Sequence, residues 1–262
     1  MQDFRISVPG GDLAARLWKP TLPTSRGSKA PLLLMHDSLG CIEMWKSFPT
    51  QLSEHLNRPV IAYDRLGYGQ SSARVSLPSP SFMEEEADVF LPAVLESFHL
   101  DSVILLGHSV GGAIALVAAS RLGHRTPAVI SISAPTYMEA ATFCAVAQAK
   151  ARAEKDNTIS KLSKYHGNKA DLVFASWTET WLSPQFASWS LHEVLPKVKS
   201  AVLTIQGDHD EFGTVKHSQL ICDFAGGPCQ QLIVQGGGHL PHRENPTGIL
   251  NEISAFLSEG SL

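Results

Sequence analysis

The sequence is short of cysteine, of basic charge and of long apolar runs, and each shortage excludes a class of protein. Its four cysteines are too few and too irregularly spaced to predict a disulfide scaffold or a zinc ribbon. We expect them to be small, buried, hydrophobic side chains in a protein of the reducing cytoplasm. They are Cys41, Cys144, Cys222 and Cys229.

Charge and hydropathy argue against two kinds of partner. The chain has 21 basic and 25 acidic residues, whereas binding to a phosphate backbone relies on a basic face. Its longest apolar stretches, such as residues 113–119, are far shorter than the roughly 20 residues of a membrane-spanning helix. The first residues show no basic segment followed by an apolar one, so no secretory signal is predicted. We therefore expect neither a nucleic-acid nor a membrane partner, and the oligomeric state stays open.

Length and periodicity predict one large α/β domain. The chain has 262 residues, 44% of them hydrophobic, and two apolar stretches within residues 4–18 flank a Pro-Gly-Gly-Asp turn, which predicts a hairpin. Short apolar runs typical of parallel strands buried on both faces then alternate with helical segments. The alternation predicts a mostly parallel, eight-stranded sheet flanked by helices. The six runs are residues 31–36, 60–64, 102–108, 128–134, 201–207 and 230–235, and the helical segments are 44–56, 81–98, 110–122, 215–224 and 246–257.

One long segment contains no apolar strand run. Residues 135–199 are therefore predicted to form a helical cap inserted into a core made of residues 1–134 and 200–262. The segment is rich in aromatic side chains, which we expect to form mainly the cap's own core. Because the inner face of a cap also covers a pocket, Trp177 and Trp181 are candidate substrate-pocket residues.

Residues 107–111 read Gly-His-Ser-Val-Gly, a G-x-S-x-G motif between an apolar run and an alanine-rich helical segment. The small residues let the chain turn sharply, which predicts a strained backbone at Ser109 and a hydroxyl lifted above the sheet edge. The helix that follows directs its positive end at the same point, where negative charge develops on an attacked carbonyl oxygen. Ser109 is therefore the candidate nucleophile.

On these features the sequence resembles the α/β-hydrolase superfamily, in particular its small serine-nucleophile members with a short helical cap. The resemblance implies a triad of Ser109, an acid after a late strand and a histidine near the C-terminus. The acid lies within Gln-Gly-Asp-His-Asp-Glu at residues 206–211, where the family spacing selects Asp210, with Asp208 as the fallback. The histidine is His239, which follows three glycines whose flexibility lets the imidazole reach back over the sheet.

The resemblance also implies an oxyanion hole. Its donors are the backbone N–H groups of Val110 and of Ser38, the latter in the loop after the predicted strand at residues 31–36. Family members carry His-Gly in that loop, whereas this chain carries His36 and Asp37, a departure that bears on the geometry of the loop.

Two neighbouring patterns are interpreted as structural. Asp64 and Arg65 begin a sequence that resembles the family's D-x-x-G-x-G-x-S loop, so we expect them to be buried partners rather than catalysts. A metal site built on His239 and His242 lacks the H-E-x-x-H helix context, and Pro241 opposes a helix there. We expect no metal and no cofactor.

The implied chemistry is acyl transfer to water. His239 takes the proton of Ser109 as the serine oxygen attacks a carbonyl carbon, and Asp210 orients the imidazole. The leading prediction is a cytoplasmic, carboxylesterase-like serine hydrolase acting on a small apolar or aromatic substrate. A thioesterase and a carbon-carbon bond hydrolase of the same fold are alternatives, as is a small-molecule receptor with a slow or silent triad. Fast turnover of small esters would distinguish an enzyme from a receptor.

Overall fold

The computed structural model describes residues 1–22 and 29–259, and these residues contain one sheet of eight strands. The strands are β1 (Gln2–Val8), β2 (Gly11–Trp18), β3 (Leu32–Met35), β4 (Val60–Tyr63), β5 (Ile104–His108), β6 (Ala128–Ile132), β7 (Ala201–Gly207) and β8 (Cys229–Val234). Across the sheet their order is β1-β2-β4-β3-β5-β6-β7-β8.

The sheet is mostly parallel, as the sequence predicts. β1 pairs antiparallel with β2 and β2 antiparallel with β4, while the remaining neighbours are parallel. The central strands β3, β4, β5 and β6 are buried at every residue, which explains their uninterrupted apolar sequences.

Helices cover both faces of the sheet. Residues of β3 alternate between two hydrophobic clusters: Leu33 packs in the cluster that contains Leu91 and Ile114, and Leu34 in the cluster that contains Leu52 and Ile253. No helix within residues 1–22 and 29–259 is long and apolar enough to span a bilayer. The helices are α1 (Phe48–Leu56), α2 (Phe82–Glu85), α3 (Leu91–Ser97), α4 (Val110–Leu122), α5 (Ala140–Arg152), α6 (Thr158–His166), α7 (Ala170–Trp181), α8 (Lys216–Phe224), α9 (Pro241–Glu244) and α10 (Pro246–Glu259).

The parallel register brings the candidate site residues to one edge of the sheet. Met35 pairs with Gly107 in β3 and β5, and His108 pairs with Ile132 in β5 and β6. The loops that follow these strands therefore leave the sheet side by side, which is where ligands bind in folds of this type.

Between β6 and β7 the chain forms α5, α6 and α7, a helical segment that occupies the place of the predicted cap. It is tied to the loops at the sheet edge. His166 Nδ1 accepts a hydrogen bond from the Gly69 N–H at 2.9 Å, and its Nε2 lies 3.0 Å from the Leu39 carbonyl oxygen. Lys169 donates to the Gly69 carbonyl oxygen at 2.7 Å. The cap boundaries at residues 135 and 199 stay a prediction.

Two expectations about cysteine are wrong. Cys222 and Cys229 form a disulfide, because the end of α8 folds back onto the start of β8 and brings their Cα atoms to 5.1 Å. Cys144 lies exposed on α5. Cys41 alone is the small buried side chain that the composition predicts, and burial raises the pKa of its thiol to about 12, so it stays protonated.

The expectation that Pro241 opposes a helix is also wrong. Pro241 is the first residue of α9, a position at which the missing N–H has no intrahelical partner to lose and the fixed φ suits the helix.

Candidate active site

Ser109 lies in the tight turn between β5 and α4, with a positive φ of 54° and a ψ of -127°. Two glycines permit this turn. A Cβ on Gly107 would lie 2.1 Å from the Gly111 carbonyl oxygen, and a Cβ on Gly111 would lie 2.0 Å from the Met35 carbonyl oxygen. Since α4 begins at Val110, its unbonded N–H groups and the positive end of its dipole lie at the serine.

His239 and Asp210 come from the loops after β8 and β7 and form a direct pair. Nδ1 of His239 lies 2.9 and 2.8 Å from the two carboxylate oxygens of Asp210. The Gln206 side-chain amide and the Phe212 backbone N–H also donate to this carboxylate, at 2.6 and 2.8 Å. Burial raises the pKa of Asp210, but the hydrogen bond and charge of His239 and these two donors outweigh it and hold the pKa below its ordinary value. An ionised Asp210 accepts a hydrogen bond from Nδ1–H, which leaves Nε2 as the basic nitrogen.

Asp208, the fallback acid, has a different partner. Its Oδ1 accepts a hydrogen bond from the backbone N–H of Gly236 at 2.7 Å. The structure therefore separates the two aspartates, because Asp210 meets His239 and Asp208 holds the loop that precedes His239.

The loop after β3 accommodates aspartate without strain. Asp37 has no positive φ, so the backbone does not require the glycine that family members carry there. Its Oδ1 accepts from the Leu39 N–H at 2.8 Å, and its carbonyl oxygen accepts from the Gly40 N–H at 3.2 Å. Within the described residues, the Ser38 N–H has no acceptor. The close approach of α4 to β3 brings this loop beside Val110, the other expected oxyanion donor.

The second carboxylate oxygen of Asp37 faces His108, the residue before Ser109. Its Oδ2 lies 3.4 Å from Nδ1 of His108, whose side chain is 2% exposed. Nε2 of His108 donates to the carbonyl oxygen of His239 at 2.8 Å. Burial raises the pKa of Asp37, but the hydrogen bond and charge of His108, with smaller contributions from His36 and Leu39, hold it far below its usual range. Asp37 thus connects the loop after β3 to the loop of His239.

Asp64 and Arg65 are buried partners, as expected. The Asp64 carboxylate accepts from the backbone N–H groups of Ile42 and Gln70, at 2.6 and 2.7 Å. Arg65 donates from Nη2 to the Asp37 carbonyl oxygen at 2.9 Å. Both residues support the loop after β3.

Ser109 and His239 line one cavity of about 230 Å³. Its walls are mostly apolar, and both candidate tryptophans, Trp177 and Trp181 of α7, contribute to them. Ser38, His108, Thr142, Val146, Phe212, Leu240 and Arg243 are among the other lining residues.

His242 lies among aromatic side chains. Its buried imidazole packs on Trp45 and Phe48, with ring centroids 5.3 Å from each. In the part of the chain that the structure describes, no three His, Cys, Asp or Glu side chains are placed to hold a metal ion.

Two further polar residues line the cavity and were not found from the sequence. Ser133 follows β6 with a φ of 50°, and His217 lies on α8. A serine directly after a buried apolar run at the sheet edge is a weak signal for Ser133. No local sequence pattern identifies His217 as a cavity residue, since its position depends on how α8 packs.

A parallel sheet of this order, with a positive-φ serine between strand and helix and a histidine-carboxylate pair on two later loops, defines the class of α/β hydrolases. The sequence pattern described as "Alpha/beta hydrolase family" matches residues 32–252. The chain belongs to this family, and the membership supports hydrolase activity.

Comparisons with individual proteins agree with this assignment. The chain is 28% identical to monoglyceride lipase of Homo sapiens over 97% of this chain and 89% of that protein. Other curated relatives match over only 41–42% of this chain and 31–32% of their own length. Among solved structures, proline iminopeptidase of Mycobacterium smegmatis superposes with a TM-score of 0.75 at 21% identity, over 99% of this chain and 98% of that one. The enol-lactonase of Burkholderia xenovorans LB400 gives a TM-score of 0.74 at 17% identity, over 97% and 99%.

Proposed function

We propose that the protein is a serine hydrolase that cleaves a carboxylic ester of a small apolar or aromatic substrate. The observation that carries this proposal is the pairing of His239 Nδ1 with the buried Asp210 carboxylate, at the cavity that Ser109 also lines. Two of the similar proteins, the monoglyceride lipase and the enol-lactonase, bear the names of ester-cleaving enzymes. The apolar walls of the cavity favour an apolar substrate.

The mechanism follows from these positions. Nε2 of His239 takes the hydroxyl proton of Ser109 while the serine oxygen bonds to the ester carbonyl carbon. Backbone N–H groups of Ser38 and Val110 stabilise the negative charge on the carbonyl oxygen. Collapse breaks the bond to the leaving alkoxide, which takes the proton from His239.

The second half of the reaction uses the same groups. A water molecule gives a proton to His239 and adds its oxygen to the acyl-enzyme carbonyl carbon. Breakdown of this intermediate releases the carboxylic acid and returns the proton to Ser109. Asp210 keeps its charge throughout and stabilises the imidazolium that forms twice per turnover.

A small-molecule substrate is the partner we propose, and a cytoplasmic location stays a prediction. The Cys222–Cys229 disulfide argues against a cytoplasmic location, because a reducing cytoplasm disfavours such a bond.

The test is intact-mass analysis after treatment with a fluorophosphonate, comparing wild type with Ser109→Ala. Phosphonylation needs an activated nucleophile and a formed oxyanion hole, so we expect one adduct on folded wild type and none on the variant or on heat-denatured wild type. A panel of small esters, with thioester and vinylogous diketone counterparts, then identifies the bond that is cleaved. Folded protein that takes no adduct, and that ligands stabilise without turnover, would instead be a receptor.

A further inference from the structure

Two buried polar groups of the cavity lack a hydrogen-bond partner. Within residues 1–22 and 29–259, the buried unbonded side-chain atoms that belong to lining residues are Ser133 Oγ and His217 Nε2. Ser133 is 4% exposed and His217 is 1% exposed. The Thr142 hydroxyl of the same cavity, in contrast, donates to the Phe212 carbonyl oxygen at 2.6 Å. Leaving a buried polar group unbonded is costly, so the two atoms point to a ligand that bonds them.

The surroundings of His217 make its free nitrogen a donor. Nδ1 lies 3.2 Å from the Thr136 backbone nitrogen and 3.0 Å from its hydroxyl oxygen. Because a backbone N–H can only donate, Nδ1 is an acceptor and the proton of the neutral ring lies on Nε2. Burial lowers the pKa of His217, which keeps the ring neutral.

The Nε2–H of His217 makes no hydrogen bond to its carboxylate neighbour, Glu139. Nε2 lies 3.3 Å from Glu139 Oε2 without hydrogen-bond geometry, and that oxygen already accepts from the Thr214 N–H at 3.0 Å. Gly213 also lines the cavity, and a Cβ there would lie 3.1 Å from Nε2 and 2.7 Å from Cδ2 of His217. Glycine at position 213 lets the backbone pack closely against this edge of the imidazole.

Ser133 lies close to the reacting serine. His108 pairs with Ile132 across β5 and β6, and the Ser109 N–H donates to the Ile132 carbonyl oxygen at 2.8 Å. Ser109 and Ser133 are thus the residues that follow two strands about 5 Å apart. A group bound at Ser133 lies within a few bonds of the carbonyl that Ser109 attacks.

The local charge selects a neutral oxygen. The carboxylate of Glu139 lies beside His217, and the charge of Asp210 acts on the same ring. This negative potential disfavours an anionic oxygen, while the Nε2–H donor disfavours a cation.

We propose that Ser133 and His217 form a subsite for a neutral hydroxyl or carbonyl oxygen carried by the substrate near its reacting ester group. The proposal deepens the serine-hydrolase function and rests on it. The substrates it selects are hydroxy- or oxo-substituted esters with an otherwise apolar body.

The experiment compares matched esters. Ethyl hydroxybutanoate and ethyl oxobutanoate are set against ethyl butanoate, and hydroxyethyl butanoate against propyl butanoate. We expect wild type to favour at least one oxygenated ester by about tenfold or more in kcat/KM. Ser133→Ala and His217→Asn should each lower this preference several-fold. Asparagine is chosen to replace the histidine because its side-chain oxygen still accepts from the Thr136 N–H, so the change removes the Nε2–H donor without leaving that N–H unbonded.

Thr142→Val is the matched control. It removes a hydroxyl of the same cavity that already has a partner, so the preference between matched esters should not change. Wild type without a preference, or a preference that survives both Ser133→Ala and His217→Asn, would overturn the proposal. Circular dichroism and thermal unfolding verify that each variant is folded.

A binding measurement separates this proposal from the serine-hydrolase function. Isothermal titration calorimetry on Ser109→Ala measures Kd for the same matched esters without turnover. We expect the oxygenated ester to bind about tenfold more tightly, and the difference to disappear in Ser109→Ala combined with Ser133→Ala. If the fluorophosphonate test fails and the binding difference persists, the hydrolase proposal is wrong and the subsite stands; equal Kd values would overturn the subsite.

Discussion

The carboxylate of Asp37 joins two loops of the candidate site through one buried imidazole. Its Oδ2 lies 3.4 Å from His108 Nδ1, and His108 donates from Nε2 to the His239 carbonyl oxygen. In a glycine-containing loop this imidazole would lack its acidic partner. The aspartate is therefore a positioning residue for the loop that carries His239.

A double-mutant cycle measures this connection. Asp37→Asn keeps Oδ1 as the acceptor for the Leu39 N–H, and His108→Gln keeps a donor for the His239 carbonyl oxygen. Each change should lower the free energy of unfolding by about 1–3 kcal/mol, because it removes the contact between the Asp37 carboxylate and the His108 imidazole. Urea unfolding of both single variants and the double variant should show a coupling of about 0.5 kcal/mol or more. Simple additivity would mean that the two side chains act independently.

The two aspartates after β7 give a second residue-scale prediction. Asp210→Asn removes the acceptor that fixes the His239 tautomer and should lower kcat on a small ester on the order of a thousandfold or more. Asp208→Asn keeps an oxygen for the Gly236 N–H and should cost less than about tenfold. Steady-state kinetics of both variants on the same ester measure the two losses in kcat. Equal losses would show that Asp210 is not the acid.

At the scale of elements, the start of α4 depends on its closeness to β3. Gly111→Ala places a Cβ 2.0 Å from the Met35 carbonyl oxygen, a backbone atom that cannot move alone. We expect the free energy of unfolding to fall by about 3 kcal/mol or more, with loss of fluorophosphonate labelling. Urea unfolding and intact mass test both effects.

Gly248→Ala in α10 is the matched control for this change. Its new Cβ meets the side-chain amide of Asn245, whose Oδ1 accepts from the Gly248 N–H at 3.1 Å. Loss of this capping bond costs about 1 kcal/mol and the helix preference of alanine offsets it, so the free energy of unfolding should change by no more than about 1 kcal/mol. Similar decreases in the free energy of unfolding for Gly111→Ala and Gly248→Ala would mean that the close β3–α4 contact does not limit the residue at position 111.

The elements that the sequence predicted well are those whose burial is uniform. The sequences of β3 to β7 are apolar because both faces of these strands are covered. The G-x-S-x-G motif predicts the end of β5, the turn at Ser109 and the start of α4 together. The helices of the insertion were not placed individually. The helices α5 and α6 bury only two residues each, so their apolar pattern is weak, and three of the seven buried residues of α7 are serine or threonine.

The site was predictable where local spacing determines it. Ser109 follows from the G-x-S-x-G motif, and the family resemblance selects Asp210 and His239. The pairing of Asp37 with His108 joins loops that only the sheet register brings together. The position of His217 depends in the same way on tertiary packing.

At the scale of the whole molecule, four of the five buried histidines hold distant parts together as neutral rings. Three of them use a ring nitrogen to accept a backbone N–H: His36 from Arg65 and His166 from Gly69, as His217 does in the cavity. Protonation of that nitrogen would break the bond. Burial lowers the pKa of all four, namely His36, His166, His217 and His242.

Stability should therefore fall with acid. In the unfolded chain these histidines take up protons near pH ~6.5, whereas the folded rings resist protonation, so the unfolded state binds more protons below that pH. The free energy of unfolding should drop by up to about 1.4 kcal/mol per pH unit for each such histidine as the pH falls below ~6.5. Burial raises the pKa of Glu86 to about 6, so proton uptake by folded Glu86 opposes this loss as the pH falls through that value. Urea unfolding between pH ~7.5 and ~5 measures the slope.

A single substitution tests whether the buried rings cause the slope. His166→Gln keeps an acceptor for the Gly69 N–H but cannot titrate, so its slope below pH ~6.5 should be shallower than that of wild type by up to about 1.4 kcal/mol per pH unit. Exchange of the exposed His99 for Gln should leave the slope unchanged, since its ring is not buried in either state. A free energy of unfolding that stays constant, or that rises, as the pH falls toward ~5 would contradict this prediction. Proton uptake by folded groups such as Glu86 would then outweigh the effect of the neutral histidines on stability in acid.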